Sequence, residues 1–376
     1  MPGFEIIGKD EQKAINQLFE DGGILFAHGF DAMRKNFHVR EFEQMANESF
    51  GCKHSLAVSS GTAAIKIALK ALGIGPNDEV ITQAFNFIAT IEAIVDVGAK
   101  PIIANVDDSL NMDIADAESL ITKNTKLLLP VHMLGVPVDM EGVLMLAEKY
   151  QLKILEDNCE SIGAKYKGKY LGTIGDAGAL SFDFGKIITT GEGGMVLTNR
   201  SIVDKYAREY HDHGHENNPQ FARGKDTKSI YGFNYRMTEM QAVVGKVQLS
   251  KLEEILTQNK IRYKALEKNI SSNINKRTIP KGSEPIYDAF IFFVEDEKIK
   301  NQIINLLNKE GFGTKNLPDA VEWHCVFYWD HILDKNQIKH AIITNELLNE
   351  AIAVPIWLRK SVDEYFSLGH QLKNIL

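Results

Sequence analysis

One lysine in this chain is placed by its neighbours rather than left on a solvated face. In the stretch from Ser181 to Asn199, SFDFGKIITTGEGGMVLTN, an apolar run from Ala177 to Phe184 leads into Lys186. Gly191, Gly193 and Gly194 follow, and then a second β-rich run, Met195 to Thr198. A lysine held between two strands by glycines suits covalent chemistry, because lysine forms Schiff bases with carbonyl compounds when its surroundings lower its pKa. The plain alternative is a hairpin with a surface lysine at its tip, since glycine-flanked turns are common. What else the chain carries has to decide between them.

Five further constellations bear on that choice. Ser59-Ser60-Gly61-Thr62-Ala63-Ala64 lies between a short apolar run and a helical pattern. The free N–H groups and positive dipole end of a helix start favour a phosphate, and the hydroxyls of Ser60 and Thr62 add donors. A simple N-cap would use the same residue types. Glu156-Asp157-Asn158-Cys159-Glu160 closes the run LKILED, and the carboxyl edge of a parallel sheet is where ligands bind in such folds. An acid there could keep a pyridinium nitrogen protonated, as in enzymes that use pyridoxal 5'-phosphate (PLP). A solvated strand end is the bland alternative. Phe85-Asn86-Phe87 offers an aromatic ring to stack on a flat ligand, although filling the core is the commoner use of such a residue. His211-Asp212-His213-Gly214-His215 looks like a metal site, but alternate histidines point in different directions and no closed ligand set accompanies them. A polar loop lining a substrate pocket fits that segment better. Asn234-Tyr235-Arg236-Met237 places an amide and a guanidinium together, suited to an oxyanion or to a nearby structural acid.

The elements that must position these residues alternate. Strands are expected at 54–58, 79–82, 100–106, 126–131 and 152–155. Helical periodicity falls at 8–20, 40–50, 63–72, 139–150, 201–215 and from Thr238 to Ile255, continuing toward 270 after a polar break. That alternation predicts a mostly parallel sheet covered by helices. The stretch 216–232 is polar and loop-like, and beyond about 260 short strands and helices predict a smaller α+β domain. With 376 residues, 44% hydrophobic and 24% charged, the chain can build two large cores. A net charge of −8 gives nucleic acid no electrostatic footing. No apolar run is long enough to span a bilayer, and MPGFEIIGKDEQ turns polar too soon for a signal peptide. Three scattered cysteines, Cys52, Cys159 and Cys325, fit neither a disulfide framework nor a zinc site and suit a reducing cytoplasm.

Taken in order, the motifs carry a resemblance. SSGTAA, an aromatic after the next strand, ED with Glu160 three residues past Asp157, SF-x-x-x-K, GEGG and N-Y-R resemble the PLP-dependent sugar aminotransferases of the DegT/DnrJ/EryC1/StrS family. The resemblance is strong over roughly residues 5 to 260 and looser beyond. It implies the α/β aspartate aminotransferase-like fold (PLP-dependent transferase type I). A large, mostly parallel sheet domain with an N-terminal arm would span 1–258 and a small α+β domain 259–376. It implies that Lys186 holds PLP as a Schiff base and shuttles the proton, while Asp157 pairs with the pyridine nitrogen and Phe87 stacks on the ring. Ser60, Gly61, Thr62, Ala63 and Ser181 would hold the phosphate. Asn234 would reach it from the other subunit of a homodimer with shared active sites. Glu160 stands near the cofactor's phenolic oxygen, where many relatives carry Gln or His. The amino donor would be L-glutamate, the acceptor a sugar or sugar acid, with no metal, membrane or nucleic acid involved.

Shorter segments resemble one subgroup. MPGFE, Gly29-Phe30-Asp31-Ala32-Met33-Arg34, DHGH at 212–215, RG at 223–224 and Glu322-Trp323-His324 are similar to 8-amino-3,8-dideoxy-manno-octulosonate transaminases. Those enzymes aminate the C8 aldehyde of an oxidised 3-deoxy-manno-octulosonate (Kdo) for lipopolysaccharide. A sugar acid's carboxylate needs cations, and Arg34, His213, His215, Arg223, Arg236 and His324 are the candidates. A nucleotide-linked 4-keto- or 3-keto-deoxyhexose is the alternative acceptor. Related PLP-dependent sugar dehydratases replace the lysine with histidine, so Lys186 argues against that activity. A binding protein that had lost the chemistry would have no reason to keep Lys186, Asp157 and SSGTAA together.

Overall fold

The computed structural model describes residues 3–30, 32–218, 220–270 and 274–376; Met1, Pro2 and Asp31 of the segments singled out above lie outside them. The alternation resolves into strands β1 (His54–Val58), β2 (Glu79–Gln83), β3 (Lys100–Ala104), β4 (Thr125–Leu128) and β5 (Lys153–Asp157). Two short strands, β6 (Lys165–Tyr166) and β7 (Lys169–Tyr170), precede β8 (Ala177–Ser181) and β9 (Gly194–Thr198). The seven long strands form one sheet in the order β1-β9-β8-β5-β4-β2-β3. Within it β9 alone runs against its neighbours, and the other pairings are parallel. β8 and β9 are buried at every position, as strands covered on both faces should be.

The covering helices are α1 (Lys9–Glu20), α2 (His38–Phe50), α3 (Gly61–Ala71), α4 (Ala89–Asp96), α5 (Ile114–Ser119), α6 (Met140–Tyr150), α7 (Ser201–Tyr210), α8 (Glu239–Ser250) and α9 (Leu252–Asn269). α3 is the central one. Its Ala64, Ile65, Ile67, Ala68 and Leu69 are buried against Val58, Leu155, Ala179 and Val196 of the sheet. Its start is pressed onto the strands beside it. A Cβ on Gly194 of β9 would collide with the carbonyl of Ser60, so only glycine fits there.

The C-terminal third contains β10 (Asn275–Lys276), β11 (Ser283–Glu284), β12 (Ala289–Phe293) and β13 (Ala351–Pro355), with helices α10 (Glu297–Lys309), α11 (Val321–His324), α12 (Lys335–His340), α13 (Ile342–Glu350) and α14 (Val362–Lys373). β10, β12 and β13 make an antiparallel sheet. Phe290, Phe292, Ile303, Leu307, Val354 and Tyr365 form its core together with Leu266 of α9. α9 therefore runs straight through the boundary expected at 258/259. The segment around α11 then returns to the large sheet. The N–H of Val326 donates to Ala84 O at 3.0 Å and that of Asn86 to His324 O at 2.9 Å. Val326, Trp329 and Leu333 bury against Ala84, Ile88, Ile91 and Ile103.

Two element boundaries differ from expectation. The helix expected over 201–215 stops at Tyr210, because His213 and Gly214 adopt left-handed φ values of 55° and 81°. The helix expected from Thr238 to Ile255 breaks at Lys251, which ends α8 and opens α9.

Candidate active site

The carboxyl ends of β1, β2, β4, β5 and β8 meet over one cavity of about 360 Å³. Ser60, Gly61 and Thr62 reach it from the start of α3, Phe87 from beyond β2, Asp157, Cys159 and Glu160 from the end of β5, and Ser181 and Lys186 from the end of β8. His324 and Asn316 close it from the C-terminal third. Residues far apart in the sequence, from Ser60 to His324, thus line one hollow at the sheet edge where ligands bind in open α/β folds.

Strand alternation sorts the two acids of β5. Asp157 faces the cavity, 3% exposed, with both oxygens anchored. Thr90 Oγ1 donates to Oδ2 at 2.8 Å, and the N–H of Cys159 donates to Oδ1 at 3.1 Å. Successive side chains of a strand point to opposite faces, so Glu156 turns away. It accepts from the N–H groups of Gly172, Ile174 and Gly175 at 2.7–2.8 Å and lies 3.3 Å from His132 Nε2. Glu156 is a structural anchor for that loop.

Lys186 Nζ stands 3.4 Å from Glu160 Oε1. Burial, the largest single influence, lowers the lysine's pKa, but Glu160, Cys159, Asp183 and Asp157 together outweigh it and hold the amine above the ordinary lysine value. The surroundings that lower a Schiff-base lysine's pKa are therefore not found in the chain alone. Glu160 moves the other way: burial would raise it, yet Lys186, His324, Lys315 and the N–H of Leu134 hold it at about 2. His324 donates from Nδ1 to Ala320 O at 2.8 Å, which leaves Nε2 toward Glu160 at 4.0 Å. Its ring lies 5.4 Å from that of Phe87, which is 43% exposed into the cavity mouth.

At the start of α3, Ser60 is the N-cap, and its Oγ accepts from the N–H of Ala63 at 3.1 Å. The amide of Ala63, expected as a phosphate ligand, is engaged in this cap. The amides of Gly61 and Thr62 are the orphan donors of this helix start. A Cβ on Gly61 would lie 2.7 Å from Ser181 Cβ and 3.2 Å from Cys159 Sγ. Glycine there brings the amides against the Ser181 hydroxyl.

Of the substrate-binding candidates, only His324 lines this cavity. Arg223 and Arg236 both donate to Asp212 Oδ1, at 2.6 and 2.7 Å. Asp212 is fully buried, and although burial would raise its pKa, Arg223, His28 and Arg236 hold it well below the carboxylate range. Both arginines are thus structural partners of an acid within this chain. Arg34 donates to Phe26 O at 2.7 Å, lies 3.7 Å from Glu239 and covers the Phe37 ring. His215 Nδ1 lies 3.4 Å from Asp226, and His213 is exposed on its left-handed turn. Asn234 pairs in an isolated bridge with Asp212, outside the Lys186 cavity. A second hollow of about 610 Å³ opens between residues 27–43 and 208–237, lined by Arg40, Arg208, His211, Arg223 and Arg236.

This second cluster predicts an acid-sensitive fold. Burial pushes His28 down to about 4 and His211 to about 3. Below pH 6.5 the unfolded chain takes up protons that the folded chain refuses until those lower values, so stability falls as pH drops through that window. We expect a loss of roughly 2–4 kcal/mol between pH 7 and 5, because each histidine costs about 1.4 kcal/mol for every pH step below its unfolded value. It is read as a falling melting temperature that H28Q makes shallower. A melting temperature flat across that range would contradict it.

Sequence reasoning passed over Thr90 and Asn316. Thr90 sits in an apolar helix start and carries no local signal of its task. Asn316 enters through a turn whose placement depends on tertiary contacts.

Comparison with known proteins comes to the same place. The family model described as the DegT/DnrJ/EryC1/StrS aminotransferase family matches residues 13–368. GDP-perosamine synthase of Escherichia coli O157:H7 is 31% identical over 357 residues, covering 89% of this chain and 91% of that protein. GDP-perosamine synthase of Caulobacter vibrioides is 40% identical over 219 residues, and the match spans only 58% of each chain. Among solved structures, the aminotransferase from Psychrobacter cryohalolentis superimposes with a TM-score of 0.83 at 26% identity, over 97% of this chain and 96% of that one.

Proposed function

We infer the reaction from one premise: the chain belongs to the DegT/DnrJ/EryC1/StrS aminotransferase family, and it is a PLP-dependent sugar aminotransferase of the type I fold. We propose that it takes an amino group from L-glutamate and gives it to a carbonyl on a sugar or sugar acid. The single observation that carries this reading is the convergence of Lys186, Asp157 and the start of α3 on one cavity.

The residues fit the cofactor. The free amides of Gly61 and Thr62 at the start of α3, with the Ser181 hydroxyl packed beside Gly61, suit a phosphate. PLP, when bound, supplies an electron sink that lets an amino group pass between carbonyl compounds. Lys186 is the covalent anchor and, through Nζ, the acid and base that moves the proton. Asp157, fixed by Thr90 and the Cys159 amide, supplies the negative charge for the pyridine nitrogen. Gly61, Thr62, Ser60 and Ser181 hold the phosphate, and Phe87 offers its ring as a stacking face. Glu160, 3.4 Å from Nζ, favours its protonated form and would orient it toward the cofactor. Asn234, which does not line this chain's own cavity, would complete the site of a second copy in a homodimer.

The names of the relatives that cover most of the chain favour a nucleotide-linked keto-deoxyhexose as acceptor. The C8 aldehyde of oxidised Kdo is the second reading. It rests on the resemblance of the segments at 29–34, 212–215 and 223–224, of which Gly29 and Arg223 line the second hollow. The test is the visible spectrum of the PLP-loaded protein. L-Glutamate should bleach its yellow band, and the acceptor should restore it. A GDP-linked 4-keto-6-deoxyhexose and oxidised Kdo, added separately, rank the two readings by the rate of return. No bleaching by glutamate would remove the proposed donor.

A further inference from the structure

Asn316 shares the cavity wall with Lys186, Phe87 and His324, and it takes no part in the steps assigned to those residues. It is the middle residue of a three-residue turn, in which the N–H of Leu317 donates to Lys315 O at 2.7 Å. Its φ is +64°. A turn of that size with a positive central φ is rare and strained, and among non-glycine residues Asn tolerates the left-handed region best. The flanks hold it there. Lys315 is buried, ion-paired to Asp288, and its N–H donates to Ala353 O at 2.9 Å. Leu317 is fully buried, and its carbonyl accepts from the N–H of Ala353 at 3.2 Å. The turn is therefore pinned to β13 on both sides.

The side-chain nitrogen of Asn316 is buried and has no hydrogen-bond partner among the described residues. A buried, unpaired donor on a strained residue is costly on two counts. Such outliers persist where a ligand completes them. Strain, an orphan donor and a place on the cavity wall are three separate observations on one side chain.

We propose that Asn316 is a specificity residue for the carbohydrate acceptor, its Nδ2 donating a hydrogen bond to a hydroxyl or ring oxygen of the sugar. This rests on reading the cavity as the aminotransferase site. A neutral amide suits a neutral oxygen, whereas a carboxylate is better met by charged donors. A site built to hydrogen-bond a sugar oxygen also rejects acceptors that lack it.

The test uses the PLP-loaded protein and two variants that accept the left-handed backbone, N316G and N316D. Bleaching by L-glutamate and return of colour with the acceptor are followed separately by stopped-flow absorbance. The acceptors are the GDP-linked 4-keto-6-deoxyhexose and oxidised Kdo. The acceptor concentration giving half the maximal rate should rise about tenfold or more in N316G and further in N316D. The glutamate step should stay within about twofold. A loss confined to the glutamate step would assign Asn316 to the donor's carboxylate and overturn the proposal, as would wild-type behaviour in both steps. The melting temperature of N316G should match or exceed that of the wild type, since no bond is lost and glycine relaxes the turn. A fall of several degrees would make Asn316 structural and overturn the proposal without any turnover. If neither sugar restores colour in the wild type, the acceptor reading fails, while the melting comparison still decides on Asn316.

Discussion

Replacing Lys186 with arginine is expected to end transamination while the protein still folds. The cavity lining contains one amine, the Nζ of Lys186, and both the covalent bond to the cofactor and the proton transfer are assigned to it. Arginine keeps the positive charge beside Glu160 but cannot deprotonate in a protein and is no nucleophile. Loss of an anchoring nucleophile of this kind costs on the order of 10³-fold or more in turnover. K186A makes the same chemical point with a structural penalty. It removes the ammonium that stands 3.4 Å from the Glu160 carboxylate, and a destabilisation of about 1–3 kcal/mol follows. K186R should therefore melt close to the wild type, K186A below it, and neither should turn over L-glutamate. Turnover by K186R above about 1% of the wild-type rate would take the catalytic role away from this lysine.

Much of this site was legible in the chain because its parts are local motifs. SSGTAA announces a helix start after a strand, and Ser60 does cap α3. The run LKILED ends in an acid at the sheet edge, and the period of two along β5 sends Asp157 inward and Glu156 outward. Pattern alone offers both acids, and it was the resemblance that chose Asp157; the physical reason for the choice is which face α3 covers. What was not legible depends on contacts far apart in the chain. Arg223 and Arg236 looked available to a substrate because their partner, Asp212, sits inside a histidine-rich segment that reads as a polar loop. Only the folded bridge between Asp212 and Asn234 shows that Asp212 itself is buried. Thr90 is similar. Its hydroxyl is 67 positions from the carboxylate it serves.

The fold divides the same way. The parallel sheet follows from apolar strands alternating with amphipathic helices, and order and partners follow once β9 is seen to run backwards. The C-terminal third resisted because α11 and α12 are four and six residues long, too short for a helical period. Their neighbours Val326, Trp329 and Leu333 are spaced to fit Ala84, Ile88 and Ile103, which lie far earlier in the chain. That return is what carries His324 to Phe87. A cavity shared by two layers of the chain is a tertiary fact; the sequence offered His324 as a substrate contact through a resemblance, but not the wall it would share with Phe87.

The second large effect is expected from D157N. Asparagine has the shape of aspartate, keeps an oxygen for the N–H of Cys159, and turns an NH₂ toward Thr90, whose hydroxyl can rotate to accept. The fold should therefore hold, with a cost of about 1 kcal/mol. What disappears is a buried negative charge, in a site where preorganised charge acts at low dielectric and is worth far more than in water. Without it the pyridine nitrogen of PLP has no anionic partner, and the ring draws electrons poorly. Turnover should fall on the order of 10²–10³-fold, with cofactor content nearly unchanged because the residues proposed to hold the phosphate, Gly61 and Ser181, are untouched. The two losses are separable: cofactor is read from absorbance after denaturation, and turnover from the rate at which L-glutamate bleaches the band. D157A is the control for structure, since it strands both Thr90 and the Cys159 amide and should melt lower than D157N. If D157N bleached at the wild-type rate, the electrostatic role would pass from Asp157 to Glu160, whose carboxyl Lys186 helps to hold below its ordinary range.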